Sequence, residues 1–268
     1  MPQAVPVSPA PPPRTAYLDH PGPIPFAHRG FAPDGRENSM AAFAAAVELG
    51  FRYVETDVHA TSDGVLVAFH DETLDRVTDG RGPVAAQPWS TVRAARIGGT
   101  EPVPLLEDLL GTWPELRVNI DAKADAAVGP LADAIERTRA HERVCVASFS
   151  DARRRAVLRR LSRPVATSAG NASAAAFRAA AATRSVRAVA RALRDVDCLQ
   201  VPERHRRVPV VTAATVAAAH RAGTPVHVWT VNDPADMRRL LDLGVDGLVT
   251  DRADLLREVL STRGEWVG

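Results

Sequence analysis

The sequence predicts an α/β protein, a closed (β/α)8 TIM barrel with a small insertion after the second strand. Three observations lead there. Short β-branched runs alternate with longer Ala/Leu/Arg-rich segments of helical period, and such βα alternation implies a parallel sheet covered by helices. The β-branched runs outside the insertion number eight, as a barrel of this kind requires. No glycine-rich phosphate turn follows the first run, whereas an open doubly wound sheet more often carries one there.

Residues 1–20 read as a disordered Pro-rich tail (Pro11-Pro12-Pro13), because proline locks φ and removes a backbone donor. The barrel domain is expected over 21–268. Its strands are predicted over 24–28, 52–57, 116–121, 143–147, 164–168, 196–201, 225–229 and 246–249. Helices are predicted over 39–49, 105–110, 126–139, 151–160, 213–221, 234–241 and 253–260. One apolar run, 65–69, breaks the alternation. It follows strand two through Asp63-Gly64, a hairpin signal, so it should fold back on that strand and bring His70 level with Glu55 and Asp57. Residues 72–101 then form an excursion of loops with one short helix over 88–95. Arg178, Arg184, Arg187, Arg191 and Arg194 punctuate an Ala-rich stretch. A solvated helix face explains them best, with a lid or membrane-surface role as the competing reading.

The chain has 33 basic and 32 acidic residues, a balance that gives no reason to expect a nucleic-acid partner. Cys145 and Cys198 both lie in apolar runs and read as buried free thiols of a reducing compartment. No apolar run approaches the roughly 18–20 residues of a membrane span, and no signal-peptide pattern is visible. A cytoplasmic protein with no integral membrane segment is the expectation.

Strand side chains alternate faces, so Tyr53, Glu55 and Asp57 project together into the barrel while Val54 and Thr56 face the helices. Two inward carboxylates are costly unless paired or metal-bound. Asn119, Asp121 and Lys123 repeat the pattern on the third barrel strand. Oxygen-only ligands favour one hard divalent cation, Mg²⁺ or Ca²⁺. A buried salt-bridge network between Lys123 and Glu55 or Asp57, with no metal, is an equal alternative.

His28 ends strand one and Arg29-Gly30 follow. Arg29 can fork onto phosphate oxygens, and Gly30 allows backbone to approach a ligand. Asn38 is a candidate cap for the next helix, and Glu37 a further ligand or a support for His28. His70-Asp71 offers a second imidazole with an adjacent carboxylate, and imidazoles act as acid or base near neutral pH. Trp229 ends strand seven and either packs on substrate or caps the core; His227, on the same face, reads as barrel interior, and His59 stays ambiguous. This is equipment for cleaving a phosphate ester.

These motifs together resemble the glycerophosphodiester phosphodiesterase family. The segments that carry the resemblance are AHRG (27–30), EN (37–38), VETDVHATSDGVLVAFHDETLDRVTDG (54–80), NIDAK (119–123) and VWTVNDPADMRRLLDLGVDGLVTDRADLL (228–256), in that order. The resemblance implies a (β/α)8 barrel with an insertion after strand two, and His28 and His70 as the catalytic pair. It also implies Glu55, Asp57 and Asp121 as metal ligands and Arg29 and Lys123 as phosphate-binding residues. Members hydrolyse glycerophosphodiesters to glycerol 3-phosphate and an alcohol. The family's usual motif has glutamate where this chain has Asp121, one methylene shorter, which puts direct ligation there in doubt.

The expected reaction has the cation and Arg29 neutralising charge on the non-bridging oxygens. His28 serves as base and His70 as acid. The nucleophile is water or the adjacent glycerol hydroxyl. Competing functions are a related barrel phospholipase D-type enzyme acting on lysophospholipid or sphingomyelin, and a non-catalytic phosphate- or polyol-binding barrel.

Overall fold

The computed structural model describes residues 15–267. Its frame is a run of parallel strands whose β-branched side chains pack on both faces, as a sheet covered by helices demands. The strands are β1 (Ile24–His28), β2 (Tyr53–Ala60), β4 (Arg117–Ala122), β5 (Val144–Ala147), β6 (Ala166–Thr167), β7 (Leu199–Pro202), β8 (Val226–Trp229) and β9 (Gly247–Thr250). A ninth strand of this sheet, β3 (Leu66–Ala68), pairs with β2 off the ring. The order β6-β5-β4-β2-β1-β9-β8-β7 closes into a ring through a parallel bridge between Ser168 and Cys198. There Asp197 N donates to Thr167 O at 2.8 Å, and Ala169 N to Cys198 O at 3.1 Å. The predicted closed barrel is therefore present.

Besides the short helix Trp89–Val92 of the excursion, within the 88–95 expected, the helices are α1 (Met40–Glu48), α2 (Leu106–Thr112), α3 (Val128–Thr138), α4 (Asp151–Leu158), α5 (Asn171–Ala182), α6 (Val186–Ala192), α7 (Ala213–Arg221), α8 (Pro234–Asp242) and α9 (Ala253–Arg263). On α3 the apolar stripe turned inward is Val128, Leu131, Ala132 and Ile135, the spacing of one helix face. Ser39, and not Asn38, caps α1, accepting from Ala42 N at 3.1 Å. The Ala-rich, Arg-punctuated stretch is the pair α5–α6, with Arg184, Arg187, Arg191 and Arg194 exposed, as a solvated face requires. Among the described residues no helix is long and apolar enough to cross a membrane.

Alternation along the strands splits the core in two. Outward Val54, Val118, Ile120 and Val146 meet the helices; inward Phe26, Tyr53, Cys145, Cys198 and Val249 fill the barrel with Tyr17. Both cysteines are buried and free, and His227 is fully buried, as predicted. Tyr17 corrects the expected boundary at Pro21. It sits on a short 3₁₀ turn, Ala16–Leu18, with 0% exposure. Its carbonyl accepts from Tyr53 Oη at 2.7 Å. The barrel's lower end is thus plugged by residues assigned to the tail; the rest of that tail, 1–14, lies outside the described residues.

The predicted hairpin forms. Thr61 N donates to Val65 O at 2.9 Å, Gly64 takes the left-handed φ of +83° that the turn needs, and β3 runs antiparallel to β2 with Val58 opposite Ala68. The following excursion is more than loop. Val67, Phe69, Leu74, Val84, Val92 and Ile97 pack into a small core of their own. This fastens the hairpin and the residues after it above the barrel.

Candidate active site

Parallel strands deliver their C-terminal ends to one mouth, and the inward alternation chooses which side chains arrive there. Register places His28 beside Glu55, Glu55 beside Asn119 and Asp57 beside Asp121. The cleft at this mouth is lined by His28, Arg29, Glu55, Asp57, His70, Asp121, Lys123, Phe149 and Trp229 among others. Every catalytic, metal and phosphate candidate of the sequence therefore meets at one place.

Each imidazole is anchored at Nδ1 by a carboxylate. His28 Nδ1 lies 2.6 Å from Asp251 Oδ1, and Asp251 is itself held by Asn232 Nδ2 at 2.8 Å. His28 Nε2 is 3.7 Å from Glu55 Oε2. Burial lowers the basicity of His28, but Glu55 and the Asp251 hydrogen bond outweigh it and leave its pKa raised. His70 Nδ1 lies 2.6 Å from Asp71 Oδ1. A carboxylate at Nδ1 favours the Nδ1-protonated tautomer, which leaves Nε2 as the atom for proton transfer.

The acids differ according to their neighbours. Glu55 is pushed up to about 8 by burial and then by the adjacent Asp57 charge. For Asp57 burial works in the same direction, but Lys123 and Arg29 overcome it and hold the carboxyl low. Burial leaves Asp121 raised despite Lys123. Lys123 Nζ sits 2.7 Å from Asp57 Oδ1 and 2.8 Å from Asp121 Oδ2. This is the salt-bridge network held open as the alternative to a metal, although its acids are Asp57 and Asp121. Among the described residues no three His, Cys, Asp or Glu side chains stand ready-made around a metal position. Even so, Asp121 Oδ1 is buried with no hydrogen-bond partner. That orphaned oxygen, with Glu55 buried beside the Asp57 charge, suits an added cation.

Arg29 is less free than a phosphate fork would be. Its Nη1 donates to Glu37 Oε1 at 2.7 Å, and Nε makes a 3.1 Å ion-pair contact with Asp57 Oδ2 without hydrogen-bond alignment. Glu37 therefore supports Arg29, with no contact to His28. Asn38 is buried; its Nδ2 donates to Asp57 Oδ2 at 3.3 Å and its Oδ1 accepts from Thr56 Oγ1 at 2.7 Å. Gly30 does not serve a ligand. Its φ is +81°, and a Cβ there would lie 2.6 Å from the Ala42 carbonyl carbon, so it lets α1 approach β1. Trp229 stands at the mouth, edge-on to Phe149 with centroids 5.8 Å apart.

The sequence did not single out Phe149 and Gln200 in the cleft lining, Asp251 behind His28, or Arg76 behind Asp71 and Glu37. Asp251 was legible in principle, as a carboxylate one residue beyond β9. Arg76 was not, because its second partner, Glu37, comes from the loop after β1.

The model of the glycerophosphoryl diester phosphodiesterase family matches residues 28–255 of the chain. The chain belongs to that family. A probable glycerophosphodiester phosphodiesterase 2 of Mycobacterium tuberculosis is 49% identical over 257 residues, covering 96% of this chain and 97% of its own. Among solved structures, a putative family member from Silicibacter pomeroyi superimposes with TM-score 0.77 at 24% identity, over 94% of this chain and 100% of its own. An Oleispira antarctica phosphodiesterase, solved with the product sn-glycerol-3-phosphate, gives TM-score 0.75 at 21% identity, over 92% and 100%. At those identities the two structures speak for the fold, and membership rests on the match across 28–255. The candidate active site of this family member is the mouth of the barrel just described.

Proposed function

We propose that the chain hydrolyses glycerophosphodiesters to glycerol 3-phosphate and an alcohol, with His28 as general base and His70 as general acid. The carrying observation is the pair of imidazoles on one cleft, each fixed at Nδ1 by a carboxylate. His28, its basicity raised by its acidic neighbours, takes a proton from water or from the neighbouring glycerol hydroxyl. His70 Nε2 gives a proton to the departing alkoxide oxygen. Arg29 and Lys123 face the non-bridging oxygens.

Around the cleft Glu37, Glu55, Asp57, Asp71, Asp121 and Asp251 outnumber Arg29, Arg76 and Lys123. An anionic phosphodiester entering such surroundings gains from one more positive charge. Glu55, Asp57 and Asp121 would hold a single Mg²⁺ or Ca²⁺, which supplies Lewis-acid neutralisation of the phosphoryl oxygens when bound. The crowding of Glu55 against Asp57 and the unpartnered Asp121 Oδ1 support this reading. The free buried thiols support a reducing, cytoplasmic setting.

The test is release of glycerol 3-phosphate from a panel of glycerophosphodiesters, with Mg²⁺, Ca²⁺ or chelator. His28→Ala and His70→Ala should each lower kcat by about 10²–10⁴. Near-normal turnover in either variant removes its assigned role, and full activity in chelator assigns the cation's task to Lys123. Phe149, 50% exposed at the mouth, gives a lysophospholipid a surface for its chain. A preference for lysophosphatidylcholine in the same panel would select that second reading.

A further inference from the structure

We infer that Arg76, in the excursion after the second barrel strand, is a positioning residue that holds His70 and Arg29 in one rigid frame. The inference rests on the two-histidine reading above. Arg76 does not line the cleft. One edge of its guanidinium forks onto Asp71, with Nε 2.6 Å from Oδ2 and Nη2 2.8 Å from Oδ1. The other edge meets Glu37, with Nη1 3.1 Å from Oε2 and Nη2 2.7 Å from Oε1. Each carboxylate passes the constraint on. Asp71 Oδ1 accepts from His70 Nδ1 at 2.6 Å, and Glu37 Oε1 from Arg29 Nη1 at 2.7 Å. A continuous chain, Arg29–Glu37–Arg76–Asp71–His70, thus joins the loop after β1 to the end of the hairpin strand.

The consequences follow from geometry. A planar guanidinium with two occupied edges fixes the planes of both carboxylates. With the Asp71 plane fixed, one oxygen stays aimed at His70 Nδ1, which sets the tautomer and turns Nε2 to the cleft. With Glu37 fixed, Arg29 Nη1 is held at a set distance from Asp57 and the phosphoryl position. A lysine cannot reproduce this, since a point charge does not orient two carboxylate planes.

A merely structural role is the rival account. Arg76 is 49% exposed in its side chain, and exposed ion pairs contribute little to stability. The excursion has its own apolar anchor, including Phe69, Leu74 and Val84. It does not need Arg76 to stay folded.

The experiment compares full-length wild type, Arg76→Ala and Arg76→Lys by kcat and KM on glycerophosphocholine, by thermal midpoint, and by ¹⁵N spectra of the His70 ring. For Arg76→Ala we expect kcat down about 10- to 100-fold, as for loss of partners that orient functional ligands. KM should change less than threefold and the midpoint by no more than about 4 °C. Arg76→Lys should recover little, and added methylguanidinium should restore part of the kcat of Arg76→Ala. The spectra should pass from one Nδ1-protonated tautomer to a mixture, a readout independent of turnover. An unchanged tautomer in Arg76→Ala overturns the inference whether or not the enzyme acts on glycerophosphodiesters. So does a kcat loss that tracks a fall in thermal midpoint and is not rescued. A tautomer change in a protein with no such activity would uphold the positioning role and sink the reaction.

Discussion

Lys123→Met keeps the length of the side chain and removes its charge, and its effect can be worked from distances. The ammonium is 2.7 Å from Asp57 Oδ1 and 2.8 Å from Asp121 Oδ2. The three side chains are exposed by only 16%, 2% and 13%. Removing one partner from a buried ion pair leaves an uncompensated charge and costs about 3–5 kcal/mol. Asp57 keeps Arg29 and Asn38 nearby, which places the cost at the lower end, about 3 kcal/mol. For a domain of this size each kcal/mol moves the thermal midpoint by about 2–4 °C. Calorimetry at pH 7 in chelator should therefore find the variant lower by about 6–12 °C. The difference should shrink in acid. Lys123 depresses the folded-state pKa of Asp57 against the pull of burial, so its contribution is present above the ordinary aspartate range and lost as pH falls through the folded value. Mg²⁺ or Ca²⁺ that binds the freed acids would return about 2.7 kcal/mol at a hundred times its Kd. A midpoint within about 2 °C of wild type at pH 7 would show that the ammonium is not the counter-charge of these acids.

Two further outcomes can be measured. Glu55, held at about 8 by burial and by Asp57, keeps its proton in the folded chain over a range where the unfolded chain has lost it. Stability in chelator should therefore fall as pH rises from about 4.5 to about 8. Glu55→Gln should be more stable than wild type at pH 8.5 and close to it at pH 5; a pH-independent difference would contradict this. Tyr17→Ala removes a fully buried ring from the barrel floor and should cost about 3–5 kcal/mol in denaturant unfolding. An unchanged midpoint would mean that the plug does no packing.

Much of this enzyme is written locally. Period-two alternation is covalent geometry, so Tyr53, Glu55 and Asp57 share a face wherever β2 lies. The Asp63-Gly64 turn returns His70 because hairpin register depends on the turn itself. These features placed His28, His70, Glu55, Asp57, Asp121 and Lys123 at one mouth before any contact was known. What sequence could not supply was the choice of partner. Asp251 orients His28 from 223 residues away, and only barrel closure makes β9 the neighbour of β1. Lys123 had several acids within reach of its flexible stem, and register with β2 gave it Asp57 beside the Asp121 of its own strand. Arg76 meets Glu37 because the excursion folds over the loop after β1, and Tyr17 leaves a proline-rich run to fill a space that exists only once the ring of strands is shut. Backbone geometry is decided residue by residue, whereas charge pairing and cavity filling are decided by which distant segments the closed barrel brings together.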